Sequence, residues 1–340
     1  MNKEVKVTIV MPVYNAERYL KKSIDSVLSQ TFKNFVFIII NDGSTDKSEE
    51  IIYSYSDSRI NYIKNERNLG IVRTLNKGFE LANTKYIARM DADDICDERR
   101  LELQFNEMEK DDDIALLGTS ADLIDENDQI IGEMMPPQDD MKIRTSLLFS
   151  NVFIHSSVMI RNSILYENKW KYDINHKAVE DYGLWLKISD RYKVKILSVK
   201  LLKYRINTDG IMASANKDKE QLIKNHSIIY KEYLERNGIL INENLLLDYA
   251  NFINVNYVPN LKLSRICNLL DTIKMNIVSK DKYDIKLYES LLSAVSRSYA
   301  IVAHISIKDY YKFLSKNTLF ENTLYEIIKL YLSKIKNGII

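Results

Sequence analysis

The chain has 340 residues, 46% of them hydrophobic and 28% charged, with only nine glycines, four prolines and two cysteines. That balance excludes a collagenous, mucin-like or disordered polymer, and Cys96 and Cys267 stand too far apart in sequence to suggest a disulfide framework or a cysteine zinc site. A net charge of +1 hides an uneven distribution: residues 1–259 carry 35 basic and 40 acidic side chains and residues 260–340 carry 13 and 7, so the long first segment is net acidic and unsuited to nucleic acid.

The first apolar run, Val5–Val13, is interrupted by Lys6 and Pro12 and lacks the form of a signal peptide. No stretch reaches the ~18 apolar residues of a membrane span. A reducing, cytoplasmic setting is expected, with the inner face of the cytoplasmic membrane as a surface the protein could dock on.

Strand and helix signals alternate through the first ninety residues. Lys6–Met11 predicts a strand, Ala16–Ser29 an amphipathic helix, and Phe35–Ile40 an apolar strand of the kind buried on both faces of a parallel sheet. Asp46–Tyr55 predicts the next helix, with Ser44 or Thr45 as its cap, followed by a strand at Ile60–Lys64, a helix at Ile71–Ala82 and a strand at Tyr86–Met90. Repeated βα units of this length predict a doubly wound, mostly parallel sheet. Such sheets bind ligands beyond the C-terminal ends of their strands, where this sequence places polar loops at 12–15, 41–46, 65–70 and 91–94.

After residue 97 the pattern loosens. A helix at Glu98–Lys110, a strand at Ile114–Gly118, a turn at Glu126–Asp128, a helix at Asp140–Phe149 and a strand at Ser157–Ile160 lead to a helix from Glu180 and strands at Val194–Val199 and Leu201–Ile206. From about Lys217 apolar residues recur at helical spacing through Leu222–Leu234, Leu245–Ile253, Leu261–Ile277, Leu287–Ile305 and Leu324–Ile335. The boundary is therefore set between an α/β domain of residues 1–216 and an α-helical module of residues 217–340. Two roles stay open for that basic module: docking on an anionic membrane surface, or homo-oligomer assembly.

Asp91-Ala92-Asp93-Asp94 follows an apolar strand. In extended chain Asp91 and Asp93 point the same way, presenting two carboxylates to one hard divalent cation, although an acidic loop ahead of a helix near Asp97 reads the same. Asn41-Asp42-Gly43-Ser44-Thr45-Asp46 places an acceptor where it could read the imino N–H of a base; a turn before a capped helix is the plainer reading.

Thr8-Ile9-Val10-Met11-Pro12-Val13-Tyr14-Asn15, Leu28-Ser29-Gln30-Thr31-Phe32, Asn41–Asp46, Asn65-Glu66-Arg67-Asn68-Leu69-Gly70 and Asp91–Asp94 occur in an order that resembles glycosyltransferase family 2, with its GT-A fold, over most of residues 5–215. The resemblance implies an inverting transfer of a sugar from a UDP-sugar to a hydroxyl of a glycan or lipid-linked acceptor, as in surface polysaccharide synthesis. It implies Pro12, Tyr14 and Asp42 around the uracil, and Asn68 and Arg73 near base and phosphates, although an arginine on a helix face is also commonly just solvated. Asp91, Ala92 and Arg205 join these donor contacts, and Asp93 with Asp91 would hold Mn²⁺ or Mg²⁺.

Val179-Glu180-Asp181-Tyr182-Gly183-Leu184-Trp185-Leu186 resembles the family's acidic pair before an apolar helix. It implies Asp181 as catalytic base, with Glu180 orienting the acceptor or supporting the base; charge at a helix N-terminus is the plainer explanation of both. His155-Ser156-Ser157 resembles a segment lining the sugar or acceptor side, so His155 is a candidate contact, though a lone histidine is often structural.

Two departures bear on these expectations. Tyr204-Arg205-Ile206-Asn207 stands where many members have Arg-x-His, so an amide replaces an imidazole near the metal. Trp170-Lys171-Tyr172-Asp173 replaces a double glycine before Tyr-Asp, which removes a permissive turn from the acceptor loop. A dTDP-sugar donor and a non-catalytic sugar-nucleotide binder are the competing readings. Which sugar moves, to which hydroxyl and how many times are not written in these motifs.

Overall fold

The computed structural model describes residues 5–207, 217–256, 261 and 263–302. The chain divides into two compact units, one of residues 1–143 with 151–217 and one of residues 144–150 with 218–340.

The first unit is built on a nine-stranded sheet. Its first half is wound from β1 (Val7–Val13), α1 (Leu20–Leu28), β2 (Phe35–Asn41), α2 (Ser48–Tyr53), β3 (Ile60–Lys64), α3 (Ile71–Leu81) and β4 (Tyr86–Arg89), with β3, β2, β1 and β4 lying parallel in that spatial order. Every residue of β1 is buried, and β2 is buried except at Val36, because helices cover both faces of the sheet. Gly78 lets α3 approach the sheet, since a Cβ there would lie 2.4 Å from Val10 Cγ1.

The second half adds β5 (Ile95–Cys96), α4 (Arg100–Lys110), β6 (Ile114–Ile124), β7 (Ile130–Met134), β8 (Met159–Arg161), α6 (Asn162–Asn168), α7 (Glu180–Arg191) and β9 (Lys193–Arg205); α5 (Asp140–Leu147) crosses into the other unit. Strand β8 lies antiparallel between β4 and β6, whereas β6 and β9 are parallel, so the sheet is mostly parallel but mixed at its centre. The two strands predicted at 194–206 are one continuous β9, and β6 runs six residues past its predicted end to form a hairpin with β7. Ser44 and Thr45 do not cap α2. That helix starts later, at Ser48, whose N–H is received by Asp46 Oδ1 at 2.9 Å.

The second unit is helical: α8 (Lys219–Arg236), α9 (Glu243–Ile253), α10 (Leu263–Ile273) running into a π-helical turn at Lys274–Val278, and α11 (Ile285–Val302). Asp218 and Asn242 cap α8 and α9 by accepting from Gln221 N and Leu245 N. Residues 144–150 are tied to it by Thr145 Oγ1, which receives Asp284 N at 2.8 Å, and by the Phe149 ring against Tyr288. The helix predicted at 324–335, and residues 303–305 of the one before it, lie outside the described residues. No described helix is long and apolar enough to cross a membrane.

Candidate active site

Because β1 to β4 run parallel, their C-terminal ends bring the four polar loops to one edge. Pro12 is buried within β1, and Tyr14, 49% exposed, follows it. Asn15 adopts a left-handed φ of 48° and stitches the first loop to the second: its N–H donates to Ser44 Oγ at 3.1 Å while its Oδ1 receives Thr45 N at 2.8 Å. Gly43 is required where it stands, with φ of 71° and with the Arg67 carbonyl carbon 2.6 Å from where a Cβ would be.

Asp42 is 3% exposed and organises the third loop. Its Oδ1 receives Asn65 Nδ2 at 2.8 Å and Leu69 N at 2.9 Å, and its Oδ2 receives Gly70 N at 2.9 Å. One acceptor direction on Oδ2 remains for a further donor. Asn65 is itself held by Lys77 Nζ, 2.7 Å from its Oδ1. Asn68 is exposed and receives Gly70 N on its Oδ1, and Arg73 is exposed on α3.

The loop after β4 has a different character. Asp91 is bound by Arg89 Nη2 at 2.5 Å, and its other oxygen receives the Ser156 hydroxyl. Burial alone would raise the Asp91 carboxyl; the Arg89 guanidinium, helped by His155 and Ser156, outweighs burial and holds it below the usual carboxylate range. Asp93 moves the other way, raised by burial and by the charge of Asp91. Asp94 is 1% exposed and is pushed well up by burial and by both neighbours; its Oδ1 receives Arg205 N at 2.8 Å, but its Oδ2 has no partner. Ala92 is buried, and its carbonyl oxygen receives Ser23 Oγ.

The acidic pair opens α7. Asp181 is fixed by Asn151 Nδ2, 2.8 Å from Oδ2, and by Tyr182 N, 2.7 Å from Oδ1. Burial still pushes its carboxyl up to about 6. Glu180, 6% exposed, is pushed up to about 7 by burial and by the charge of Asp181, and its Oε2 is buried without a partner. Contacts lead from the Asp91 loop to α7: Ser156 donates to Asp91, its neighbour His155 meets the Tyr172 hydroxyl, and the His155 and Tyr172 rings pack edge-on to Trp185 of α7.

The segment at 170–173 keeps a defined shape without a double glycine. Asn76 of α3 clamps it at two points, donating from Nδ2 to the Tyr172 carbonyl at 2.9 Å and accepting Tyr172 N on Oδ1 at 3.0 Å. The Tyr172 hydroxyl meets His155 Nε2 at 2.8 Å, and its ring packs edge-on to Trp185 of α7. Burial, with the charge of Arg89, pushes His155 down to about 3, so the imidazole is neutral at physiological pH.

The residues at 91–94 suit a hard divalent cation. Of the three carboxylates only Asp91 has a bonded cationic side chain, and Asp93 receives from other side chains only the Asn207 amide at 3.3 Å. Among the described residues the three do not gather one oxygen each within 4.8 Å of one another, which makes no all-protein cage. An oxygen donor set of that kind fits Mg²⁺ or Mn²⁺ completed by substrate phosphates.

Residues 8–168 match the family described as Glycosyl transferase family 2. An uncharacterized glycosyltransferase of Methanocaldococcus jannaschii is 43% identical over 220 residues, spanning 63% of this chain and 75% of the relative. This chain belongs to glycosyltransferase family 2. An uncharacterized glycosyltransferase of Haemophilus influenzae is 32% identical over 303 residues, covering 83% of this chain and 92% of its own length. The UDP-Glc:alpha-D-GlcNAc-diphosphoundecaprenol beta-1,3-glucosyltransferase WfgD of Escherichia coli is 33% identical over 216 residues, covering 63% and 81%. In fold the transferase is similar to S. aureus TarS residues 1–349, solved in complex with UDP-GlcNAc, with a TM-score of 0.59 at 15% identity over 96% of this chain and 92% of that one.

One expected donor contact of the transferase has other partners. Arg205 has a fully buried side chain, and its guanidinium is committed to Asp128 Oδ1 at 2.5 Å, the Asp125 carbonyl at 2.6 Å and the Asp93 carbonyl at 2.8 Å, with the Tyr19 ring stacked 4.1 Å away. It braces the Asp93 backbone against the β6–β7 turn rather than facing a ligand. Sequence reading missed Arg89 and Asn151, and it quoted Ser156 and Tyr172 within their segments without giving either a contact. Arg89 left a trace, since a cation at the end of an apolar strand must find a partner. Asn151 left none, because only tertiary packing brings it to Asp181, and the contact of Tyr172 with His155 is likewise a product of packing.

Proposed function

We propose that this transferase moves a sugar from a UDP-sugar to a hydroxyl of a glycan or lipid-linked acceptor in surface polysaccharide assembly, with inversion at the anomeric carbon and with Asp181 as the base. The observation that carries this reading is the run of contacts from Asp91 through Ser156, His155 and Tyr172 to α7, whose Asp181 carboxylate is oriented on both oxygens. The diphosphoundecaprenol acceptor in the name of the E. coli relative supports a lipid-linked acceptor, and the UDP-GlcNAc bound by TarS supports a UDP-sugar donor.

Asp42 offers its remaining lone pair to the imino N–H of the base, with Tyr14 exposed beside it. Asp93 with Asp91 would hold Mn²⁺ or Mg²⁺, which would supply charge neutralisation for the departing diphosphate. Asp181 takes the proton of the acceptor hydroxyl as its oxygen attacks from the face opposite the leaving group. A single carboxylate suffices for that geometry, and no covalent sugar intermediate forms. A carboxyl pushed up to about 6 is a stronger base than an ordinary aspartate yet still charged near neutrality. Neutral His155, pinned by Tyr172, shapes the wall without competing for the proton.

The test is a panel of UDP- and dTDP-sugars with a lipid-linked acceptor, scored by nucleoside diphosphate release and product mass with Mn²⁺ and with chelator. Release from a UDP-sugar that stops with chelator is the expected result. Thymine carries the same imino N–H, so turnover only with dTDP-sugars would move the donor assignment and leave the mechanism. Full activity after exhaustive chelation would remove the metal from it.

A further inference from the structure

Asn151 opens the segment that leads into a single 3-10 turn at His155–Ser157, and both ends of its amide are used. Its Oδ1 receives Phe153 N at 3.1 Å, closing a turn within the segment, and its Nδ2 donates to Asp181 Oδ2 at 2.8 Å. The two ends cannot be exchanged, because the Phe153 N–H needs an oxygen and the carboxylate needs an N–H. The other donor to Asp181, Tyr182 N at 2.7 Å, belongs to the same helix and moves with it. Asn151 is therefore the side chain that fixes the carboxylate against the rest of the site. The segment behind it is itself held. Phe153, 4% exposed, packs its ring 6.0 Å from that of Trp185 on α7, and β6 makes room at Gly118, where a Cβ would lie 2.9 Å from Phe153 Cδ1. Ser157 Oγ donates to the Ile154 carbonyl and receives Thr119 N of β6, and the Ser157 carbonyl receives Gln104 Nε2 of α4. Between these anchors Ser156, fully buried, donates to Asp91 and receives Asp91 N at 3.2 Å. One short segment thus touches Asp181 at its first residue and Asp91 at Ser156.

We propose that Asn151 is a positioning residue for the base, and that the segment 151–156 is a spacer that sets the Asp181 carboxylate, held by Asn151, in a fixed place relative to Asp91, held by Ser156. The proposal rests on the reading of Asp181 as the base. An asparagine that only closed a turn could be exchanged for aspartate, whose oxygen accepts from the Phe153 N–H equally well. An asparagine that orients Asp181 could not. Aspartate keeps its size and its turn, but it has no N–H to give and sets carboxylate against carboxylate.

The experiment measures kcat and donor KM for the full chain, Asn151→Asp, Asn151→Ser, Asp181→Asn and the double variant of Asn151→Asp with Asp181→Asn, with calorimetric binding of UDP and Mn²⁺ to each. In Asn151→Asp kcat falls about 10²-fold, as misplacement of a reacting group does, while donor KM and UDP binding stay those of the parent. Asn151→Ser keeps a hydroxyl for the Phe153 N–H but falls short of Asp181, and its kcat falls about tenfold. The double variant transfers at the same low rate as Asp181→Asn alone, because Asn151 acts only through the carboxylate. With Asp181→Asn inactive, a parent-like kcat in Asn151→Asp overturns the proposal, and so does a loss seen in donor KM and UDP binding rather than in kcat. A further fall in the double variant below Asp181→Asn overturns it equally. If Asn151→Asp does not fold, Asn151→Ser decides by the same criterion. Transfer that survives in Asp181→Asn sinks the base reading itself, and the positioning role falls with it.

Discussion

Asp42 and Asp93 both follow parallel strands at one edge of the same sheet, yet their surroundings are opposite in kind. Asp42 has three internal donors and a loop locked around it by Gly43, Asn65 and Lys77. Asp93 and its neighbours have more negative charge than bonded cations, one orphaned oxygen on Asp94, and, at Asp93 and Asp94, carboxyls raised by burial and by neighbouring negative charge. The first region is finished before any ligand arrives. In the second, charge is concentrated where a cation and a reacting hydroxyl would relieve it, and that frustration is what marks chemistry rather than scaffolding.

The sharpest way to break this contrast is Asp181→Asn, which keeps the shape and one of the two accepting contacts but removes the proposed base. Transfer should fall by about 10²–10⁴, while UDP binding with Mn²⁺ stays close to the parent in calorimetry. Parent-like transfer would return Asp181 to the role of helix-terminal charge. Asp93→Asn comes next, with a loss on the order of 10²–10³ in kcat and a higher Mn²⁺ concentration for half-maximal rate. A metal dependence identical to the parent would show that the spare acceptor capacity of Asp93 has no bearing on cation binding.

Asp42 should answer in stability where Asp93 answers in rate. Asp42→Ala strands the Leu69 N–H, leaves Gly70 N with Asn68 Oδ1 alone and the Asn65 amide with Thr74 Oγ1 alone, a loss of about 2–4 kcal/mol in urea unfolding. Asp42→Asn keeps an acceptor for only part of that set, so it falls between. An Asp42→Ala protein as stable as the parent would mean that the 65–70 loop is held by something other than its carboxylate.

The same contrast explains what was legible in the chain. The parallel half declared itself because β1 and β2 are continuous apolar runs separated by helix-periodic segments, so Asp42, Asp91 and Asp93 could be assigned to one edge from strand ends alone. Two-residue β5 and the exposed edge strand β7 carry too little apolar pattern to be seen, and the charged Lys200 between two apolar runs made β9 look like two strands. Sequence order places Arg205 near the 91–94 loop without revealing that Asp125 and Asp128 turn back to occupy its guanidinium. The Asn76 clamp on Tyr172 spans 96 residues, a separation that no local periodicity records.

The smallest effect separates the two regions by pH rather than by rate. Glu180 is raised from 4.5 to about 7 by burial and by Asp181, so between those values the folded protein retains a proton that the unfolded chain has released. Its favourable contribution is therefore complete below about pH 4.5 and is lost as pH rises through about 7. Glu180→Gln, a near-isostere of the protonated acid, should gain about 1–3 kcal/mol over the parent at pH 8 and nothing at pH 4, read as a shift of a few degrees in melting temperature at the higher pH alone. Asp42→Asn should show no such gain at pH 8, because its carboxylate is already satisfied by three donors. Equal responses from the two substitutions at pH 8 would erase the distinction between a finished loop and a charged one.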